Sequence, residues 1–356
     1  MRQECRSSSS LFTNHYSQMN DNRHNTRVIV AGAGPAGSVC AYLLHKAGVE
    51  VVLLDKARFP RDKICGGGLT HKAYKLLSEL YPDFQYDYNG VRHIKVTVNG
   101  KHTCEIDADQ EIRIVNRKTF DHELLKQYEK AGGRFVNEGL ESFREEPDGS
   151  IVVTLSDGRE LGCDYLVGAD GANSLVRRQL MRRKDQKVLI LEQYMPKSSE
   201  HEIEILLSND YSLGYYYRFP NNDFDAVGYC DDHNNLEKFR TILKDKDLEE
   251  TTLKGAVITI STDYERRDRI LLIGDAGGFC NRLTYEGLFY AFKTARNACE
   301  AIVSGRRFSE VNDLYFRKKK REQVATKVFY SRFGLAFSGF CCHWPRLVKF
   351  VFDRNV

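Results

Sequence analysis

The sequence has no apolar run long enough to cross a bilayer, no Cys-X-X-Cys pair and too little net charge to hold a polyanion. Each absence excludes something. A membrane-spanning helix needs about 20 apolar residues, and even the uncharged aromatic stretch from Phe333 to Cys342 falls short of that. Ten cysteines without regular spacing suit neither a zinc ligand set nor a disulfide framework, so a reducing, cytoplasmic setting and no metal are expected. The vicinal Cys341-Cys342 pair reads as two packed thiols. With 53 basic residues against 49 acidic ones and no basic-aromatic recognition motif, nucleic acid is not an expected partner. Residues 1–26 are rich in Ser, Asn, Gln and Arg and lack an apolar core. They read as a disordered tail, not a secretory signal, with Met19 as an alternative start. What remains is the composition of a soluble globular protein, with enough chain for one large or two ordinary domains.

The strongest local signal lies between Arg27 and Asp55. Val28-Ile29-Val30-Ala31 reads as a buried strand and Gly32-Ala33-Gly34-Pro35-Ala36-Gly37 as a tight turn into a helix. Val51-Val52-Leu53-Leu54 reads as a second strand ending at Asp55. This is the opening unit of a dinucleotide-binding fold. Gly32 permits the turn, Gly34 lets a pyrophosphate approach the backbone, and Gly37 lets the helix pack closely. The helix start offers free N–H groups and the positive end of its dipole, and Asp55 stands where ribose hydroxyls would donate. A purely structural βαβ unit is the competing interpretation.

Downstream, a loop from Lys56 to Leu69 carries Arg58, Lys63 and Cys65-Gly66-Gly67-Gly68, followed by a helix over 71–80. Alternation predicts strands over 91–98, 102–106 and 111–115. Phe120, Leu124, Leu125 and Tyr128 share one face of a predicted helix running from Arg117 to about Lys130. Strands follow near 134–137, 151–155 and 160–167, with turns at Asp148-Gly149 and Asp157-Gly158. A β-rich stretch from Val188 to Tyr229 separates these elements from Ile270-Leu271-Leu272-Ile273-Gly274-Asp275, a strand ending in Gly-Asp. Helices are expected from about Thr284 to Ser304, with Thr284 as N-cap, and from about Glu310 to Phe329. The expected architecture is α/β: a Rossmann-like dinucleotide-binding domain, discontinuous over 27–185 and 263–306, with an inserted antiparallel β-sheet substrate domain over 186–262. The strands of 91–116 are expected to join the substrate lobe. A helical, basic-aromatic segment over 307–356 completes the chain.

Three separated pieces point to flavin and not nicotinamide: the first turn with Asp55; Gly168-Ala169-Asp170-Gly171 with Ser174 and Arg177; and Gly274-Asp275-Ala276-Gly277-Gly278. A strand ending in Gly-Asp can set its carboxylate on the ribityl chain of FAD, and a helix start can favour the anionic reduced ring. With Lys63-Ile64-Cys65-Gly66-Gly67-Gly68-Leu69, Arg117 with Phe120-Asp121, Gly214 through Pro220 and Gly274 through Gly287, residues 27–305 resemble the p-hydroxybenzoate-hydroxylase-type flavoproteins. Within that group the chain looks like the geranylgeranyl reductase family. The resemblance implies that Gly32, Gly34, Ala36 and Gly37 hold the pyrophosphate and that Asp55 binds the adenosine ribose. It implies further that Arg117 contacts the ADP half, that Asp275, Gly287 and Leu288 meet the ribityl chain and ring, and that Cys65, Gly66 and Gly68 line the flavin face. Where the family shows Ala-Gly, a Pro after the Asn and a Gly before the Glu, this chain has Gly277-Gly278, Asn281-Arg282 and Tyr285-Glu286, which bears on the substrate more than on the cofactor.

Three readings of the chemistry stand. In the first, reduced flavin reduces a carbon–carbon double bond of an isoprenoid or other hydrophobic substrate, with Cys65, Tyr215 or Tyr217 supplying the proton. In the second, an oxygenated flavin hydroxylates or halogenates. In the third, flavin is bound without turnover. The absence of a second Gly-X-Gly-X-X-Gly unit makes the electron donor a transient NAD(P)H or another protein. Arg317-Lys318-Lys319-Lys320-Arg321, followed by Phe329, Phe333, Phe337, Phe340 and Trp344, marks 317–356 for peripheral contact with an anionic membrane or for a solvated helix face.

Overall fold

The computed structural model describes residues 27–181, 184–233 and 236–355; the predicted tail over 1–26 lies outside them. The first strand, β1 (Arg27–Ala31), is buried on both faces, as a near-continuous aliphatic run requires in a parallel sheet. Helix α1 (Pro35–Lys46) follows, with Pro35 in its first turn where a missing N–H costs nothing, and then β2 (Glu50–Leu54). β3 (Gly68–Leu69), α2 (His71–Leu80), β4 (Asn89–Val98), β5 (His102–Ile114) and α3 (Arg117–Lys130) come next. The chain continues through β6 (Arg134–Val136), β7 (Leu140–Glu145), β8 (Ile151–Leu155), β9 (Glu160–Cys163), β10 (Tyr165–Gly168) and α4 (Leu175–Leu180).

A second series holds β11 (Lys187–Pro196), β12 (Glu202–Leu207), β13 (Tyr215–Pro220), β14 (Phe224–Asp231), α5 (Leu236–Asp245) and β15 (Lys254–Thr259). Last come β16 (Ile270–Leu272), a 3-10 turn over Gly274–Gly277, and the helices α6 (Leu288–Ser304), α7 (Phe308–Val311), α8 (Asp313–Phe329), α9 (Arg332–Cys341) and α10 (Pro345–Asn355).

Among the described residues these strands form three sheets. A five-stranded parallel sheet has the order β16-β10-β1-β2-β6, and a three-stranded antiparallel sheet comprises β7-β8-β9. An eight-stranded sheet runs β15-β11-β14-β13-β12-β4-β5-β3 and is antiparallel except between β12 and β4. The sheet built from β11 to β15 therefore also recruits strands from the first third of the chain.

One core packs α1, α2, α3 and α6 on one face of the parallel sheet, and a second fills the other face beneath the three-stranded sheet. The eight-stranded sheet separates two more. Tyr216, Val227 and Tyr229 pack against Phe239, Ile242 and Leu243 of α5. On the opposite face Tyr215 and Tyr217 share a core with Tyr330, Leu335 and Cys342 of the C-terminal helices. The period-2 alternation of β13 produces this division, sending Tyr216 one way and Tyr215 and Tyr217 the other.

Three expectations are corrected. The strands foreseen over 102–106 and 111–115 are one strand, whereas 160–167 divides into two. The long helix starts at Leu288, not Thr284: the Asn281 side chain takes the N–H groups of Leu283 and Thr284, and Tyr285 adopts φ +52°. The run from Arg317 to Arg321 is not uniformly solvated, because Lys319 is buried.

Candidate cofactor and substrate site

The three pieces that pointed to flavin sit at the C-terminal ends of three adjacent parallel strands, β1, β10 and β16. From β1 the chain moves one way to β2, whereas β10 lies on the other side, so the turn after β1 opens at a topological switch point, where such sheets bind ligands. Backbone hydrogen bonds lock the three ends together: Ala169 N–H donates to Ala31 O (2.7 Å) and Ile273 N–H to Gly168 O (3.0 Å). The approach is close enough to dictate residue type. A Cβ on Gly32, at φ +103°, would lie 2.4 Å from Ala169 O, and one on Gly37 would lie 1.7 Å from Gly32 O. Gly274, at φ +54°, brings the Gly-Asp turn against Ala36.

Gly34 is different. A Cβ there would meet only Arg61 Nη2, at 3.5 Å, so the fold itself does not demand glycine at this position. Helix α1 has neither a side-chain cap nor an acidic residue in its first turn. A glycine cradle over an uncompensated helix N-terminus fits a dinucleotide pyrophosphate. The Asp55 carboxylate accepts from Ala33 N–H (2.7 Å) and Ala57 N–H (2.8 Å), so it braces the turn. Asp275 stands half-buried at the start of α6, its Oδ1 3.5 Å from where Gly287 would carry a Cβ, and Leu288 opens that helix. Asp170 packs beside Gly32 with Oδ1 buried and unpartnered, and burial raises its pKa. Ser174 and Arg177 serve the protein itself: Ser174 caps α4, and Arg177 ties that helix to Ala276 O and Asp263 O.

A polar chain leads from this turn toward the eight-stranded sheet. Arg61 reaches Asp121 (3.5 Å), which is fully buried and held by Arg117 through two hydrogen bonds of 2.7 and 2.9 Å. Burial opposes the Arg117 charge, but Asp121 and the neighbouring Cys65 thiol outweigh it and raise its pKa. Cys65 therefore faces a cation. The next residues are glycines for a packing reason: a Cβ on Gly66 would lie 2.7 Å from the Phe219 ring, one on Gly68 3.4 Å from it, and one on Gly67 2.2 Å from Val115 O.

Beneath this loop lies a residue that sequence reasoning did not single out. Glu192, 1% exposed, accepts from Cys65 N–H (3.1 Å) through Oε1 and from the Tyr217 hydroxyl (2.6 Å) through Oε2. Burial pushes its carboxyl up to about 7, and burial followed by the Glu192 charge holds the Tyr217 phenol well above its ordinary value. Its signal was present in Val188-Leu189-Ile190-Leu191-Glu192, where alternation puts a carboxylate at an inward position. Arg61 was also missed; only the folded loop brings it to Gly34. Tyr215, on the same face of β13, donates to Thr284 O, and burial raises its pKa. The 281–287 loop thus closes over Tyr215 as the Cys65 loop closes over Tyr217 and Phe219.

A dinucleotide turn, a Gly-Asp turn and a glycine loop facing an aromatic sheet together define an FAD-dependent oxidoreductase. Residues 25–224 match the FAD binding domain family. The chain is 29% identical to the chloroplastic geranylgeranyl diphosphate reductase of Oryza sativa subsp. japonica, over 85% of this chain and 75% of that protein. It is 30% identical to the menaquinone reductase of Mycolicibacterium smegmatis, over 79% and 78%. The solved geranylgeranyl bacteriochlorophyll reductase-like protein of Thermoplasma acidophilum superposes with a TM-score of 0.74 at 18% identity, covering 92% of this chain and 98% of that one. Flavin-dependent halogenases share the fold as well. The chain belongs to the geranylgeranyl reductase family of FAD-dependent oxidoreductases. Among the described residues no helix is long and apolar enough to cross a membrane.

Proposed function

We propose that this protein reduces a carbon–carbon double bond in an isoprenoid or other hydrophobic substrate. The observation that carries this reading is the apolar cluster beside the Cys65 loop, in which Tyr215, Tyr217 and Phe219 pack with Ile64, Ile112 and Leu283. Such a wall suits an extended hydrocarbon, and relatives named for geranylgeranyl diphosphate and menaquinone support it. FAD, when bound and reduced, would supply the hydride. Gly32, Gly34, Ala36, Gly37, Asp55 and Arg117 would hold its ADP half; Asp275, Gly287, Leu288, Cys65, Gly66 and Gly68 would border the ribityl chain and ring. Cys65, Tyr215 and Tyr217 are the groups from which a proton would be delivered; the Tyr215 hydroxyl donates to Thr284 O, whereas Tyr217 faces a second titratable group. Electrons arrive from a visiting NAD(P)H or a protein donor.

The test is anaerobic. Protein reduced with dithionite is mixed with a series of prenyl alkenes, and flavin absorbance is followed. Reoxidation with formation of the saturated product is expected. No reoxidation by any prenyl lipid, with substrate oxygenation in air, would replace this reading with oxygenase or halogenase chemistry.

The substrate class also bears on where the enzyme works. We infer that residues 317–356 rest on an anionic bilayer. This segment carries ten basic side chains and two acidic ones, so the rest of the chain is net negative. Along α9 and α10, Phe333, Phe337, Phe340, Trp344, Leu347 and Phe350 are exposed and repeat at helical spacing, which is the pattern of an interfacial helix pair.

A further inference from the structure

We propose that Glu192 is the proton reservoir of the reaction, feeding the substrate through the Tyr217 hydroxyl. This rests on the alkene-reductase reading. The geometry is a line across three strands. In the sheet register Tyr217 of β13 pairs with Gly228 of β14, and Gly228 pairs in turn with Glu192 of β11. Any side chain at 228 would block the path, because a Cβ there would lie 2.2 Å from the Tyr217 ring. The missing side chain lets the ring lie across β14 and bring Oη to Glu192 Oε2 at 2.6 Å.

A buried carboxyl spanned by its own contacts is usually structural, and Glu192 does position the Cys65 loop through Cys65 N–H. Two features go beyond positioning. Tyr217 lies on the face of β13 that meets the cofactor loops. In addition, burial raises the carboxyl to about 7, so that it titrates near neutral pH, while the groups facing it act in the opposite direction. Those groups are Tyr217 from β13, Cys65 from the loop above, Tyr194 on its own strand and Lys254 on β15. The last is its register partner, with Nζ drawn aside to Asp62 (3.5 Å) and over the Tyr194 ring.

The step balances with the reductant already named. The hydride that bound, reduced FAD would supply goes to one alkene carbon. With the carboxyl protonated the 2.6 Å contact reverses: Glu192 Oε2–H donates to Tyr217 Oη and leaves the phenol O–H for the substrate. The O–H bond of Tyr217 then breaks as its proton goes to the other carbon, and the Glu192 proton crosses the contact to restore the phenol. Glu192 is left as carboxylate and is reprotonated from solvent.

The experiment compares the full-length FAD-loaded wild type with Glu192→Gln, Tyr217→Phe and Gly228→Ala, after thermal melting and flavin spectra show folded protein. Infrared titration reads the reservoir without turnover: a carboxyl band lost on ionisation with a midpoint near pH 7 in the wild type, and absent in E192Q. Single-turnover reoxidation by a prenyl alkene should slow on the order of 100-fold in Y217F and E192Q, and the wild-type fall in rate above neutral pH should disappear in E192Q. A wild-type rate and pH profile in E192Q, or no titrating band, would overturn the proposal alone. A wild type that no alkene reoxidises would instead remove the reductase reading, and the proposal with it.

Discussion

At the scale of single residues, Gly34 and Gly37 stand three positions apart in one turn and are glycine for opposite reasons. A Gly37 Cβ would collide with Gly32 O at 1.7 Å, inside the protein, whereas a Gly34 Cβ would approach only Arg61 Nη2 at 3.5 Å. Gly37→Ala should therefore cost roughly 3 kcal/mol or more of stability through backbone displacement. Gly34→Ala should stay within about 1 kcal/mol, the usual change for such a helix cap, yet weaken FAD binding at least tenfold. Urea unfolding of the apoprotein and FAD titration separate the two effects. Glu192 gives a second residue-scale prediction. Its folded pKa of about 7 exceeds its ordinary value of 4.5 because burial disfavours the charge. The penalty is absent below pH 4.5, grows as pH rises toward 7 and is complete above it, at about 3 kcal/mol. Glu192→Gln should flatten that part of the stability–pH curve, between about pH 4.5 and 7. An unchanged slope would mean that the carboxyl is ionised throughout.

At the scale of elements, the difference between a local and a register-dependent signal decides what could be read in advance. Helix α3 begins at Arg117 as expected because its cap is local: Asn116 Oδ1 accepts from Lys118 N–H. The dinucleotide turn is equally local. Helix α6 starts later than its sequence suggests because Thr284 resembles an N-cap, while the chain around it is held from a distance, with Tyr330 donating to Leu283 O and Tyr215 to Thr284 O. The continuous β5 reads in sequence as two strands because Asp107, Asp109 and Gln110 interrupt its apolar pattern, and the interruption is structural: the strand runs on, but its pairing with β4 shifts register between Val91 and His93. The Tyr217–Gly228–Glu192 line is a matter of register and had no sequence spacing to announce it. The basic run of α8 makes the point by experiment. Lys319 donates to Cys280 O and Glu322 and lies 3.8 Å from the Tyr290 ring centroid, so it anchors the loop over Tyr215, whereas Lys320 is exposed. Lys319→Ala should cost on the order of 3 kcal/mol by leaving Glu322 without its buried cation, and Lys320→Ala within about 0.5 kcal/mol, as thermal melts will show.

For the whole molecule, the distribution of charge argues function where the total says nothing. A formal net charge of +4 is unremarkable, but ten basic residues against two acidic ones lie in 317–356, so the chain is polar end to end. The C-terminal helices carrying them pack on the same face of the eight-stranded sheet as Tyr215 and Tyr217, through Tyr330 and Leu335. A bilayer touching their outer side would thus lie on the side of the fold proposed to take the substrate. On the proposed bilayer, Phe333 at 82% and Phe337 at 61% exposure would supply the insertion, and the Phe340 and Trp344 rings, 4.5 Å apart, continue the apolar face from α9 into α10. Each basic residue near an anionic surface contributes about 1 kcal/mol, falling off within a Debye length, and the aromatics add a term that salt does not screen. The full chain should therefore float with phosphatidylglycerol vesicles at low salt, partly detach at 0.5 M salt, and stay behind with phosphatidylcholine vesicles. Serine at 333, 337 and 340 together should abolish the salt-resistant fraction while leaving FAD content unchanged. Equal flotation on both lipids would remove the electrostatic half of the argument. No flotation, with a concentration-dependent dimer, would assign the same face to a second copy of the chain.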